Sequence, residues 1–401
     1  MIKLLLKILL PAFLLFGVRT VLLSQDPYFS QFFANRIYLN PAYAGFDPGG
    51  ALTLNYREQW VGVPGGESGR LGAGFRTFST TADLQSPCFL QLDGANMGFS
   101  FGAFRDEAGG APLVSQGFSL AVSHERNLIK AGAAGKVQRL DLRVGYQLQY
   151  NQQQFNSDYL IYSDQLDPVV GLMGDPFAYR LRSRLYPNMN LGLLLRGNIQ
   201  HNRDKATLFT LGLQLANINQ PEVSLFEPST LSRIPQRITV HGGFTARVPR
   251  YFGVTAPLYV SPQFRWDSQL GAKLNLQTTG VYIFSKGFYS GFFVQYNFPN
   301  NPPPPGLLTP GGFLTRNTTT LILNAGIDLR SLFDDGKPWR KRETGTVMGL
   351  TYDINLTGLN QQNTLGVVEV SLQTRFGKQK KKACGDIGKF ELYKGDCPVR
   401  F

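Results

Sequence analysis

From Ala51 to Phe376 the chain repeats stretches in which large apolar side chains alternate with polar ones, and few folds accept that rhythm. In Leu142-Arg143-Val144-Gly145-Tyr146-Gln147-Leu148-Gln149-Tyr150 every even position is apolar and every odd one is Arg, Gly or Gln. A strand sends successive side chains to opposite faces, so such a segment has one greasy face and one wet face. The repeats predict fourteen strands, near 51–60, 70–79, 94–104, 115–126, 138–150, 188–200, 206–217, 236–248, 257–266, 272–285, 288–298, 318–330, 345–354 and 365–376. The stretch 257–285 has the weakest alternation and has room for three strands. Many such strands without intervening helices point to an all-β fold: a closed antiparallel barrel with its apolar face toward lipid.

Composition agrees. Glycine (44) and Phe and Tyr (30 and 17) are abundant while charged residues make up only 17%. No apolar run of about 18 residues follows the N-terminal region, so no helical span is expected. Residues 1–24 resemble a secretory signal: Lys3 and Lys7 precede an apolar run from Ile8 to Val18, and Ser24 precedes the expected cut. Arg19 and Leu22 fit that pattern less well. Export and a barrel together imply an outer membrane. Loss of Lys3, Lys7 and Arg19 takes the net charge from +13 to +10, a balance suited to anionic headgroups or an acidic partner. The scattered basic residues and the export signal argue against nucleic acid.

The expected domains are 1–24 signal peptide, 25–50 a periplasmic or plug segment, 51–376 the barrel, and 377–401 a periplasmic tail. An even strand count puts both termini on one side, the periplasmic one in outer-membrane barrels. The outward connections are then 61–69, 105–114, 151–187, 218–235, 267–271, 299–317 and 355–364. The longest, 151–187, and the proline-rich 299–317 both fall outside, where barrels carry long loops. The tail carries seven Lys/Arg against three acids. Lys380, Lys381, Lys382 and Arg400 are its candidate periplasmic docking residues. Cys384 and Cys397 flank a short tail segment, and a disulfide between them is plausible in an oxidising compartment.

Chemistry finds little foothold. His124, His201 and His241 have no metal-site spacing, and no Gly-x-Ser-x-Gly elbow is present. No enzyme activity, metal or cofactor is expected. Arg57 and Gln59 share a face with Thr53 and Asn55, and Asp353 and Asn355 occupy the equivalent face near the other end of the sheet. Closure brings first and last strands together, so Arg57 and Asp353 are expected to join one luminal polar network.

Several segments resemble the PorP/SprF proteins of the Bacteroidota type IX secretion system. Gln25-Asp26-Pro27-Tyr28-Phe29-Ser30-Gln31-Phe32 and Asn40-Pro41-Ala42-Tyr43-Ala44-Gly45 look like the start of the mature family proteins. Tyr56-Arg57-Glu58-Gln59-Trp60 matches the family's first-strand Tyr-Arg-x-Gln-Trp. Tyr352-Asp353-Ile354-Asn355-Leu356, Glu369-Val370-Ser371-Leu372 and the ending Cys397-Pro398-Val399-Arg400-Phe401 resemble its closing strands and terminus. The resemblance marks Asp26, Pro27, Phe29, Gln31, Asn40, Pro41, Gly45, Arg57, Gln59, Trp60, Asp353 and Asn355 as motif, luminal or plug candidates. It implies a non-enzymatic outer-membrane barrel of the secretion and gliding apparatus. Such a barrel would bind and anchor an exported adhesin with a C-terminal sorting domain. It would also link to a periplasmic peptidoglycan-binding protein or to secretion-system ring components. A transporter for small hydrophobic molecules is the alternative.

Overall fold

The computed structural model describes residues 28–47, 49–60, 74–87, 95–109, 113–129, 137–156, 166–167, 171–172, 180–202, 205–225, 233–248, 258–269, 275–285, 287–298, 318–329, 345–356 and 365–376. Fourteen long strands close into one antiparallel barrel. In chain order they are β1 (Gly50–Gln59), β2 (Phe75–Pro87), β3 (Ala95–Ala108), β4 (Leu113–Ile129), β5 (Val137–Asn156), β6 (Tyr186–Asn202) and β7 (Lys205–Ala216). The second half comprises β8 (Arg237–Arg247), β9 (Leu258–Gln269), β10 (Asn275–Ser285), β11 (Phe288–Asn297), β12 (Thr318–Asp328), β13 (Gly345–Asn355) and β14 (Val367–Phe376). The ring shuts where β1 meets β14, in register from Gly50 opposite Phe376 to Gln59 opposite Val367. The end holding Gly50 and Phe376 is the near mouth and the opposite end the far mouth.

Side-chain parity explains why this sheet closes. Leu120, Val144, Tyr146, Leu191 and Leu193 are exposed on the outer face, where lipid would cover them. Ser119, Arg143, Gln147 and Asn190 point inward and are buried. Outward aromatics stand toward both mouths, with Phe244, Phe288 and Phe376 toward the near one and Tyr56, Phe78 and Trp266 toward the far one, where Phe118 stacks on Tyr150 with ring centroids 5.5 Å apart. Beyond that level the outer face turns polar, with Glu58 paired to Arg76 and Arg105 to Glu107. A lipid-facing band ending in an aromatic girdle has this order. Among the described residues no helix is long and apolar enough to cross a membrane.

Several boundaries move from their sequence-based positions. β2 runs 75–87 rather than 70–79, whereas 257–285 holds the two strands expected at 257–266 and 272–285 and no third. The expected loop 151–187 is partly sheet. β5 continues to Asn156, residues 180–182 pair with it, and 166–167 pairs with 171–172.

Candidate functional site

The described residues 28–47 lie inside the barrel, and nearly every one is buried. They form a single turn of helix, α1 (Arg36–Leu39), and a 3-10 turn at Pro41–Tyr43. The segment spans the lumen lengthwise. Tyr28 and Ser30 sit against the far half of the wall, and Asp47 meets the near mouth.

The far attachment is an ionic knot. Arg57 Nη1 lies 3.3 Å from Asp353 Oδ2 and 3.2 Å from Glu369 Oε2. Ser30 donates its hydroxyl to Asp353 at 2.5 Å, and its backbone N–H donates to Glu369 at 2.7 Å. The Gln31 N–H donates to the other Glu369 oxygen at 3.1 Å, and Ser371 donates to the Gln31 side-chain carbonyl. The Tyr28 hydroxyl is 3.0 Å from Thr278 Oγ1, and the Arg265 guanidinium lies 4.3 Å above the Tyr28 ring. Charges buried this deeply persist only when paired and hydrogen-bonded. The knot gives one Arg57 two carboxylates and several donors.

Midway, Asn40 fastens the segment to three strands. Its Nδ2 donates to the carbonyls of Leu193 (3.0 Å) and Leu213 (3.1 Å) and lies 3.2 Å from His241 Nε2. Its Oδ1 accepts from Ala42 N–H, capping the turn that Pro41 opens. The backbone at Pro41–Ala42 passes so near β5 that a Cβ at Gly145 would come within 2.3 Å of Ala42 N. Gly45 adopts φ +57° where the segment bends toward β1, a conformation glycine tolerates.

At the near end Ala44 O accepts from Arg143 Nη2 and Ser123 Oγ, both at 2.7 Å. Arg143 is held in turn by Glu125 at 2.8 Å. Asp47 pairs with Arg36 at 3.0 Å and Arg375 at 3.4 Å. The Phe46 ring is ringed by the guanidiniums of Arg196, Arg36 and Arg143, 4.9, 5.2 and 5.6 Å from its centroid. Desolvation pushes the Tyr43 phenol up to about 12, so it stays a neutral donor.

The wall facing the segment at β10 and β11 is largely apolar. Phe32, Phe33 and Ile37 pack on Tyr282, Phe284, Tyr289 and Phe293 of β10 and β11. Phe33 meets Tyr282 edge-on at 4.5 Å. Part of the bore is therefore hydrocarbon, not hydrated throughout as alternation suggests. A polar cavity lined by Arg36, Asp47, Thr53 and Asp83 has room for about one water molecule.

Of the sequence candidates, Gln31, Arg57 and Asp353 meet in the far knot. Asn40, Pro41 and Gly45 lie in the middle and near parts of the segment, and Phe29 packs on Tyr38 at 5.5 Å. Gln59, Trp60 and Asn355 stand at the far mouth outside the knot. Trp60 adopts φ +62°, donates its N–H to Gly366 O and stacks edge-on with Phe75. Asn355 accepts from Thr320 at 3.2 Å. Asp26, Pro27, Lys380, Lys381, Lys382, Cys384, Cys397 and Arg400 lie outside the described residues. The sequence reading missed Ser30, Glu369, Arg143 and His241 as members of the site. Inward parity was the signal available for the last three. Among the described residues no group of His, Cys, Asp or Glu is arranged to hold a metal ion.

The sequence profile of the Type IX secretion system membrane protein PorP/SprF family matches residues 21–374. The chain belongs to the PorP/SprF family. Its fold and family place this PorP/SprF protein in the outer membrane. No curated protein matches it in sequence. Among solved structures, the β domain of the Bordetella autotransporter Brka is similar at 11% identity and TM-score 0.35, covering 83% of this chain and all of that one. A Pseudomonas aeruginosa FadL homologue is similar at 15% and 0.39, covering 84% and 93%. The translocator domain of autotransporter NalP from Neisseria meningitidis gives 10% and 0.33, covering 82% and 88%.

Proposed function

We propose that this PorP/SprF barrel is a closed binding platform rather than a conduit. It holds an exported surface adhesin at its far mouth and engages periplasmic wall-associated or secretion-ring components at its near mouth. The carrying observation is the lumen: the chain's own residues 28–47 fill it and are fastened at both ends and in the middle. The far mouth faces outward in this reading because the long connections 157–185 and 299–317 lie there. The sorting domain of the adhesin binds the rim, and the basic near-side tail 377–401 meets the periplasmic partners.

Two measurements test the platform. The purified barrel in lipid bilayers is expected to pass neither ions nor small hydrophobic solutes, and affinity purification from native outer membranes is expected to recover a large exported polypeptide. A tether sharpens both. Asn35 Nδ2 lies 2.7 Å from Ser79 Oγ, so Asn35→Cys with Ser79→Cys can lock the segment to the wall. Recovery of the exported partner should survive the lock. Strong solute flux that the lock abolishes would establish a transporter instead.

A further inference from the structure

The exposed arginines above the girdle fall into two kinds. Arg76 is paired with Glu58 at 3.1 Å and Arg105 with Glu107 at 2.7 Å. Arg182 and Arg184 are exposed, and among the described residues neither has a carboxylate partner. Arg182 donates from Nη2 to Gln154 Oε1 at 3.3 Å, which steadies the guanidinium without neutralising it. Below them the outer face of β6 is a continuous apolar column. Leu185 (56% exposed), Met189, Leu191 and Leu193 all point outward. The column passes beside the stacked pair of Phe118 and Tyr150. Pro187 is opposite Tyr150 in register. Arg182 is opposite Gln154, four residues above Tyr150 on β5 and so roughly 10 Å higher for tilted strands, and Arg184 comes between Arg182 and Pro187 in the chain. That is the depth of a leaflet's headgroups when the rings mark the hydrocarbon boundary.

Two guanidiniums with no carboxylate partner among the described residues, over a hydrocarbon track, match one kind of molecule, an anionic amphiphile. The column takes an acyl chain and the arginine forks take the oxygens of a phosphate, with which they form charge-assisted, often bidentate bonds. We propose that Arg182 and Arg184, with the β6 column beneath them, bind a phosphorylated glycolipid of the outer leaflet. The lipid would fix the height and rotation of the long-stranded side of the barrel. This site lies on the outer wall; it rests on the far mouth facing outward and needs no binding partner at either mouth.

The test titrates the full-length barrel, in uncharged detergent, with lipid A carrying both phosphates and with enzymatically dephosphorylated lipid A. Phosphatidylglycerol, inorganic phosphate and polyglutamate complete the set. The phosphorylated lipid A is expected to bind roughly tenfold tighter or more than the dephosphorylated form, as two membrane-level arginines allow. Arg182→Gln with Arg184→Gln should erase that preference, while Arg105→Gln, whose guanidinium is already paired, should leave it. If the double variant fails to fold, Arg184→Gln alone, whose side chain makes no hydrogen bond among the described residues, should weaken the preference. Equal binding of both lipid A forms, or a preference that persists in the variants, overturns the proposal. Tighter binding of phosphatidylglycerol would place this rim in the other leaflet. Tighter binding of polyglutamate would make it a site for acidic protein. Displacement by inorganic phosphate alone would make it a free-ion site. Each of these three results also overturns it.

Discussion

Arg57 shows how much one side chain can govern here. It is the common partner of Asp353 and Glu369, both fully enclosed. Removing one member of a buried ionic cluster strands the others and typically costs about 3–5 kcal/mol. Arg57→Met should therefore lower the unfolding free energy of the lipid-reconstituted barrel, read from urea titration, by that order, far more than Arg76→Met at the outer surface. Tyr43 supplies a pH effect of definite sign. Its phenol is raised from 10.0 to about 12 by burial. Stability from the neutral form is complete below pH 10 and is lost as pH rises toward 12, because only the unfolded chain ionises in that window. A Tyr43→Phe barrel should lose less stability over that window than the parent in parallel unfolding curves. Sequence parity made Arg57 and Asp353 legible as neighbours, since first and last strands must meet in a ring. It could not reveal that Ser30 and Gln31 complete the cluster. Nothing in a polar N-terminal stretch says which wall residue it will touch.

At the scale of elements, the luminal segment and the wall are matched pieces. Gly145 is the inward position where Pro41–Ala42 crosses β5. Gly145→Val should force the segment out of place, seen as new protease cuts within 28–47 and as ion conductance absent from the parent. The strands that the sequence places wrongly or marks only weakly are those where the rhythm has a physical reason to break. In β2, Asp83 and Gln85 sit at inward positions and read like turn residues in the bare sequence. In β5, the run Gln152–Gln154 stands above the girdle, where both faces are polar and alternation disappears. In β10, Val281, Tyr282, Ile283 and Phe284 are apolar on both faces. Ile283 meets the lipid side, and Tyr282 and Phe284 meet Phe32 and Phe33. Lipid on one side and a corking segment on the other erase the pattern that marks an ordinary barrel strand.

The whole molecule behaves as a ring with two incompatible exteriors. Charge on the lipid side should be punished according to depth. Leu120→Arg, within the apolar band, is expected to cost about 2–4 kcal/mol when the barrel refolds into vesicles, and Gln116→Arg, above the girdle, about 1 kcal/mol or less. Equal costs would mean that the band does not mark the membrane. The long strands β3 to β6 raise one side of the cylinder past the other, so the far rim is oblique and its taller flank is the one that carries Arg182 and Arg184.

The ionic knot sits at the joint of the ring: Arg57 belongs to the first strand, Asp353 and Glu369 to the last two, and Ser30 and Gln31 to the chain that precedes them all. Zipping the final strand to the first thus also locks in the amino-terminal peptide, so sealing and corking become a single event during biogenesis. A cylinder joined with an empty bore would leave two acids facing each other without their hydroxyl and amide donors. The assembly pathway is thereby steered away from ever leaving a hole in the cell's permeability barrier.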